Sequence, residues 1–273
     1  MSSLADLHRF RRTHPEQTLV VQGLRWGVHD SARTKKDAAK PALLLIPGTL
    51  GTGEIFWQQI KALSGELRIV AATYPAVADV NRYADGAAAL LRRLGIERAS
   101  ILGSSLGGYT VQTLALRHPG QVDKVFIGNS LCNPKANWRR LNAPLKTIEA
   151  TPAGKLKADR VARVADWPDS DPGLALSKAV MNEQGQSRIP ARNLKARIVA
   201  LLRAGDMPPL PIPDSRIVII DCADDPVMPP EARAETYARY PKAKRHTLPT
   251  GGHFPYVSRA KEYTAILRQH LLK

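Results

Sequence analysis

Hydrophobic residues recur along the chain with two different spacings. Short apolar runs such as 42–46 (ALLLI) alternate with longer segments such as 82–94, in which apolar residues return every three or four positions. A short apolar run is typical of a strand covered on both faces, and the longer spacing is typical of an amphipathic helix. The pattern therefore predicts strands and helices in alternation.

Apolar runs bounded by turn residues predict eight strands, over 19–22, 24–28, 42–46, 67–73, 99–102, 125–128, 216–222 and 245–248. The predicted helices are 54–63, 82–94, 105–118, 231–240 and 258–272. Gly23 between the first two strands predicts an antiparallel hairpin, 35–40 a charged connection, and 1–17 a short amphipathic lead-in. The alternation predicts an α/β fold with a mostly parallel central sheet flanked by helices.

The strand rhythm stops between Ser130 and Asp214 and then resumes. A stretch of this length without strands is typical of an insertion. We therefore expect a core made of 1–130 and 214–273, and a helical cap insertion over 131–213. Trp138 and Trp167 in this insertion are candidates to line a substrate pocket.

Composition sets the broad class of the protein. The chain has 273 residues, of which 44% are hydrophobic and 23% charged, as in ordinary soluble globular proteins. It has no apolar run long enough for a transmembrane helix and no apolar core of a secretory signal near its start. Its two cysteines, Cys132 and Cys222, lie in apolar surroundings, so we expect no disulfide framework and a cytoplasmic location.

The charge is strongly positive. Lys and Arg number 40 against 24 Asp and Glu, which gives a formal net charge of +16. The basic residues are spread along the chain and form no aromatic-interleaved cluster, so specific nucleic-acid binding is not expected. A weak attraction to polyanions or to a membrane surface stays open, and the charge mildly favours an anionic substrate.

The stretch Gly103-Ser104-Ser105-Leu106-Gly107 matches G-x-S-x-G and lies between a predicted strand and a predicted helix. This is the setting of a nucleophile elbow, in which small residues allow a tight turn and the central serine is exposed for attack. The dipole of the helix that follows favours negative charge near Ser105. The motif by itself also fits a plain glycine-rich turn, so its meaning depends on a base and an acid elsewhere.

Partners of the required type follow in the order Ser, acid, His. Asp224 and Asp225 come after the strand 216–222, and His253 comes after the last predicted strand. Each lies in the loop after a strand, where open α/β sheets form their sites. We prefer Asp225 as the acid and keep Asp224 as the alternative, because one of two adjacent aspartates before a proline can serve only to begin a turn.

The oxyanion formed during acyl transfer needs hydrogen-bond donors. The amide of Leu106, directly after the serine, supplies one, and the turn after the strand 42–46 supplies the other from Thr49 or Leu50. Spacing does not decide between these two. The sequence has no cluster of His, Cys and carboxylate residues typical of a metal site, so neither a metal nor an organic cofactor is expected.

Several stretches resemble the α/β-hydrolase family, namely 46–63 (IPGTLGTGEIFWQQIKAL), 74–75 (YP), 102–109 (LGSSLGGY), 129–133 (NSLCN) and 240–263 (YPKAKRHTLPTGGHFPYVSRAKEY). The resemblance implies the hydrolase fold, a helical cap, a nucleophile at Ser105 and an acid at Asp224 or Asp225. It is greatest to a branch that carries asparagine where this chain has His253 and that acts by binding rather than by hydrolysis. This chain departs from that branch by keeping the histidine.

Two functions from different classes follow. The first is a serine hydrolase that uses Ser105, His253 and Asp225 on a small-molecule acyl substrate, either a carboxylic ester or a related acyl or carbon–carbon substrate. The second is a non-catalytic interaction protein on the same scaffold. The presence of all three residues favours the hydrolase, because a binding protein does not need them.

Overall fold

A computed structural model describes residues 2–135 and 144–272. Within them, eight strands form one sheet: β1 (Gln17–Val21), β2 (Leu24–Asp30), β3 (Ala42–Ile46), β4 (Arg68–Thr73), β5 (Ala99–Ser104), β6 (Val122–Gly128), β7 (Ile217–Cys222) and β8 (Lys244–Leu248). Their order in the sheet is β1-β2-β4-β3-β5-β6-β7-β8. The hairpin β1–β2 and the pair β2–β4 are antiparallel, whereas every other neighbouring pair is parallel. The predicted α/β class and parallel sheet are confirmed.

The α-helices of the described residues are α1 (Leu4–Thr13), α2 (Lys35–Ala38), α3 (Trp57–Leu63), α4 (Val80–Arg93), α5 (Leu106–Arg117), α6 (Leu145–Ala150), α7 (Ala153–Ala162), α8 (Pro172–Glu183), α9 (Ala191–Arg203), α10 (Pro230–Arg239), α11 (Pro255–Ser258) and α12 (Ala260–Leu271). Short 3-10 turns extend α3 at its start (Gly53–Phe56) and α7 at its end (Arg163–Asp166). The helices α6 to α9 lie in the chain between β6 and β7, and the described part of 131–213 contains no strand.

The sheet separates two hydrophobic clusters. On β3, Leu44 and Ile46 join the cluster that includes Trp26 and residues of α4 and α5, whereas Leu43 and Leu45 join the cluster with Trp57 of α3. Alternate side chains of a strand point to opposite faces, and all four are fully buried. The wholly apolar sequence of β3 is thus explained by cover on both faces.

The structure adds three local details that the sequence predictions did not contain. The lead-in contains helix α1, which begins at a capping box between Ser3 and Asp6 that the hydrophobic pattern did not show. The charged connection 35–40 contains the short helix α2, which begins at a similar capping box between Thr34 and Asp37. The closing helix is interrupted at Arg259, where the backbone leaves helical geometry, and so it divides into α11 and α12.

The hydrophobic helices are short or partly polar. In residues 2–135 and 144–272, no helix has both the length and the apolar character that crossing a bilayer requires.

Candidate active site

Ser105 occupies a sharp turn between β5 and α5. Its φ of +55° and ψ of −117° lie in a region that side-chain-bearing residues rarely adopt. A Cβ on Gly103 would come within 1.9 Å of Gly107 O, and one on Gly107 would come within 2.1 Å of Ile46 O. Both glycines are therefore required by close backbone contact, and the strained serine is held by its surroundings.

Neighbouring strands fix this turn. The Ser105 amide donates to Gly128 O at 2.9 Å, and the Ser130 hydroxyl donates to Ser105 O at 2.6 Å. Leu106 is the first residue of α5, so its amide has no carbonyl partner within the helix. This free amide lies next to the serine, in the position expected for an oxyanion donor.

His253 and Asp225 form a buried pair. His253 Nδ1 lies 2.9 Å from Asp225 Oδ2 and 3.0 Å from Oδ1, and both residues are buried. The amides of Val227 and Met228 donate to Asp225 Oδ1 at 2.8 Å and 3.0 Å. Burial raises the pKa of the Asp225 carboxyl, but the adjacent His253 and the other donors outweigh burial, so the net pKa is lowered. Asp225 is therefore an ionised acceptor that orients the imidazole.

Asp224 lies elsewhere. It is exposed, and its carboxylate accepts hydrogen bonds from the amides of Gly251 and Gly252 at 3.0 Å and 2.9 Å. These two glycines directly precede His253, and both have a positive φ. Asp224 thus holds the turn that carries the histidine, whereas Asp225 contacts the histidine ring.

Asn129, which follows β6, is a site residue that the sequence pattern did not predict. Its side-chain amide donates to Asp225 Oδ2 at 2.7 Å and to Gly252 O at 3.1 Å. Its φ of +40° is in the left-handed region, which asparagine tolerates better than most residues. A usable signal was its position directly after a parallel strand, as Ser105 follows β5; Asp225 and His253 lie further along the loops after β7 and β8.

Thr49 and Leu50 lie in the turn after β3, where both face the same cavity as Ser105. Arg197 of α9 holds this turn from its other side. It donates through Nη1 to Gly51 O at 2.7 Å and to Thr49 O at 3.2 Å, and its guanidinium lies 5.2 Å from the centre of the Tyr74 ring. Arg197 is buried and makes no ion pair with any described residue.

A cavity of about 260 Å³ opens above Ser105 and His253. Its wall is mostly apolar and combines loops after the strands with helices from the segment between β6 and β7. It includes Leu131, Arg160, Arg163, Trp167, Leu194, Ile198, Leu201, Pro226, Val227, Met228 and Phe254. Trp167 packs on Phe254 with ring centroids 5.0 Å apart. Trp138, the other tryptophan named from the sequence, lies outside the described residues.

The described parts of the chain contain no group of three His, Cys, Asp or Glu side chains arranged to hold a metal ion. His253 and Asp225 face each other within hydrogen-bond distance, and Asp225 is surrounded by donors. This donor set suits proton transfer at an imidazole rather than metal coordination.

A parallel sheet with a strained serine after β5 and a buried Asp–His pair after β7 and β8 has the architecture of an α/β hydrolase. The chain belongs to the alpha/beta hydrolase family, whose model matches residues 43–266.

Individual relatives differ in their names. Maspardin from Mus musculus is 29% identical over 98% of this chain and 87% of its own length. A putative carbamate hydrolase, RutD, from Escherichia coli O103:H2 is 27% identical over 84% of this chain and 91% of its own length. Among solved structures, the enol-lactonase from Burkholderia xenovorans LB400 has a TM-score of 0.73 at 18% identity and covers 94% of this chain and 100% of its own.

Proposed function

We propose that the protein is a serine hydrolase that cleaves carboxylic esters or closely related acyl compounds. The observation that carries this proposal is the buried pair of His253 and Asp225, 2.9 Å apart, at a cavity that also contains the strained Ser105. A positive φ is strained at a non-glycine residue, and such strain concentrates at active sites, which supports a catalytic role for Ser105.

In the proposed reaction, Ser105 Oγ attacks the substrate carbonyl and His253 accepts the serine proton. Asp225 keeps a proton on Nδ1, so that Nε2 is free to act as the base. The tetrahedral oxyanion binds the amide of Leu106 and that of Thr49 or Leu50. His253 then returns the proton to the leaving alcohol, and a water molecule hydrolyses the acyl-enzyme by the same steps, which releases the acid and restores Ser105.

The alternative, a non-catalytic interaction protein, is supported by the resemblance to the branch of the family that carries asparagine where this chain has His253. The two functions differ in whether Ser105 is activated. An interaction protein needs no reactive hydroxyl, whereas a serine hydrolase reacts rapidly with phosphonates that resemble its tetrahedral intermediate.

The test is labelling with a fluorophosphonate probe, followed by mass spectrometry of the modified peptide. We expect one adduct at Ser105, its loss in Ser105→Ala and its retention in Ser104→Ala, since Ser104 is fully buried. Labelled protein should lose turnover of aryl esters, thioesters and carbamates in parallel. Absence of labelling in folded protein would reject the hydrolase in favour of the interaction protein, whereas equal labelling of Ser105→Ala would reject Ser105 as the nucleophile.

A further inference from the structure

Two arginines in the wall of the active-site cavity form no ion pair with any residue that the structure describes. Arg160 of α7 and Arg163 of the following 3-10 turn both line the cavity together with Ser105 and His253. They are three residues apart, which puts them on the same side of the helix. Neither is in an ion pair with a described residue, although Asp159 and Asp166 lie in the same segment.

Exposed arginines such as Arg192 also have no ion pair with a described residue, so what distinguishes Arg160 and Arg163 is their place in the cavity wall, whereas two arginines near the cavity do have carboxylate partners. Arg203 is paired with Glu149 at 2.7 Å, and Arg259 is paired with Asp171 at 2.6 Å. No described residue that lines the cavity is acidic. The residues 136–143, which the structure does not describe, contain no Asp or Glu in their sequence, so they hold no carboxylate for these arginines.

The positive charge of Arg163 also acts on Arg160. Arg160 is half-buried, and burial, followed by the positive charge of Arg163, lowers its pKa. Arg160 loses hydration at the apolar wall and is repelled by Arg163, which is exposed, and a bound anion offsets both effects on Arg160. The remaining wall is apolar, as with Leu194, Ile198 and Phe254, and suits a hydrocarbon chain or ring.

We infer that Arg160 and Arg163 form an anion subsite. The substrate is then an acyl compound with an apolar body and a carboxylate or phosphate group away from the scissile bond. This inference rests on the proposed function. A carboxylate and a phosphate share the required chemistry, because a guanidinium binds either through paired hydrogen bonds.

The first test compares two 4-nitrophenyl esters of equal chain length, the monoester of glutaric acid and the ester of pentanoic acid. The measured quantity is the ratio of their kcat/KM values in the parent, in Arg160→Gln/Arg163→Gln and in the control Arg192→Gln. Arg192 is an exposed cap arginine outside the cavity, and its loss lowers the net charge without touching the subsite. Dividing by the parent cancels the intrinsic reactivity of each ester.

We expect the anionic-to-neutral ratio to fall by roughly 10- to 100-fold in the double variant, mainly through KM, and to stay at the parental value in Arg192→Gln. A remote charge that binds substrate and transition state equally acts on KM. An unchanged ratio in the double variant, or an equal fall in Arg192→Gln, would overturn the subsite while leaving the hydrolase proposal intact.

A second measurement is independent of turnover. Calorimetry on Ser105→Ala compares glutarate with phenyl phosphate, each with and without the Arg160→Gln/Arg163→Gln changes. If either anion binds and its binding is lost when the two arginines are replaced, the subsite is supported even if no ester is hydrolysed. The anion that binds more tightly shows whether the subsite prefers a carboxylate or a phosphate. Binding that persists without the arginines, or no binding of either anion, would overturn it.

Discussion

The replacement of Asp225 by asparagine tests the proposed mechanism most directly. Asp225 Oδ1 accepts from the amides of Val227 and Met228, and Oδ2 accepts from Asn129, while both oxygens face His253. An asparagine that keeps its oxygen towards the two backbone amides places its NH₂ group in the position of Oδ2. This NH₂ group then donates to His253 Nδ1, which forces the ring proton onto Nε2.

The resulting tautomer is the wrong one for catalysis, because a protonated Nε2 cannot accept the proton of Ser105. The NH₂ group also meets the Asn129 amide, which must turn round and give up its bond to Gly252 O. We expect kcat to fall by about 10⁴-fold, which corresponds to about 5.4 kcal/mol of transition-state stabilisation. The fold should persist, since the shape of the side chain is unchanged.

Asp224→Asn is the matched control, as it makes the same chemical change one residue earlier. The asparagine loses one of the two bonds to the amides of Gly251 and Gly252 at an exposed site. Solvent at this exposed site weakens the lost bond to the carboxylate to about 1 kcal/mol, so the rate should fall by no more than roughly fivefold.

The assay is steady-state hydrolysis of a 4-nitrophenyl ester, with near-ultraviolet circular dichroism and thermal unfolding as checks on structure. The reasoning predicts that Asp225→Asn is slower than Asp224→Asn by about three orders of magnitude. Equal losses in two folded variants, or a larger loss in Asp224→Asn, would show that Asp225 does not set the tautomer of His253.

Three further changes test other contacts. His253→Asn should stay folded and bind substrate but lose about 10⁴-fold or more in kcat for aryl esters, and substantial activity would mean that another group is the base. Arg197→Met should lower kcat about 10- to 100-fold, because the turn at Thr49 loses the hydrogen bonds that fix it. Tm should not fall, because the change also removes a buried charge that forms no ion pair with a described residue. Unchanged kcat would refute this positioning role. The pKa of Asp171 is lowered to about 2 by Arg259, so the stability it contributes is present above its ordinary value of 3.8 and is lost as pH falls through 2. The difference in Tm between the parent and Asp171→Asn should therefore close between about pH 4 and pH 2, and a constant difference would contradict the pairing.

The sequence pattern predicted most of the fold because the relevant signals are local. The apolar run of β3 needs cover on both faces, and the G-x-S-x-G stretch needs small residues wherever backbones approach closely, as at Gly103 and Gly107. Helix α1 was not predicted because it is defined by its cap and by one buried face that includes Leu7 and Phe10. Such a face depends on what packs against it.

The finer assignments in the site could not be predicted because they depend on tertiary contacts. Asp224 and Asp225 are adjacent and chemically identical, and only the turn after β7 decides which one faces inward. The carboxylate of Asp225 is fully shielded from solvent, whereas Asp224 is exposed. Asn129 contacts Asp225 across 96 positions of sequence, a separation that no local pattern records.

Arg197 bears on the choice between Thr49 and Leu50 as oxyanion donor. Its guanidinium binds Thr49 O, and this carbonyl belongs to the same peptide unit as the Leu50 amide. Since the described chain contains no cis peptide, the Leu50 N–H points away from Arg197. Burial lowers the pKa of Arg197, and its Nε has no hydrogen-bond partner, so an apolar side chain of similar size would be less costly to bury here. The free energy of folding therefore does not explain why an arginine is buried at position 197, whereas the need to fix the direction of the Leu50 amide does. We therefore prefer Leu50 to Thr49 as the oxyanion donor.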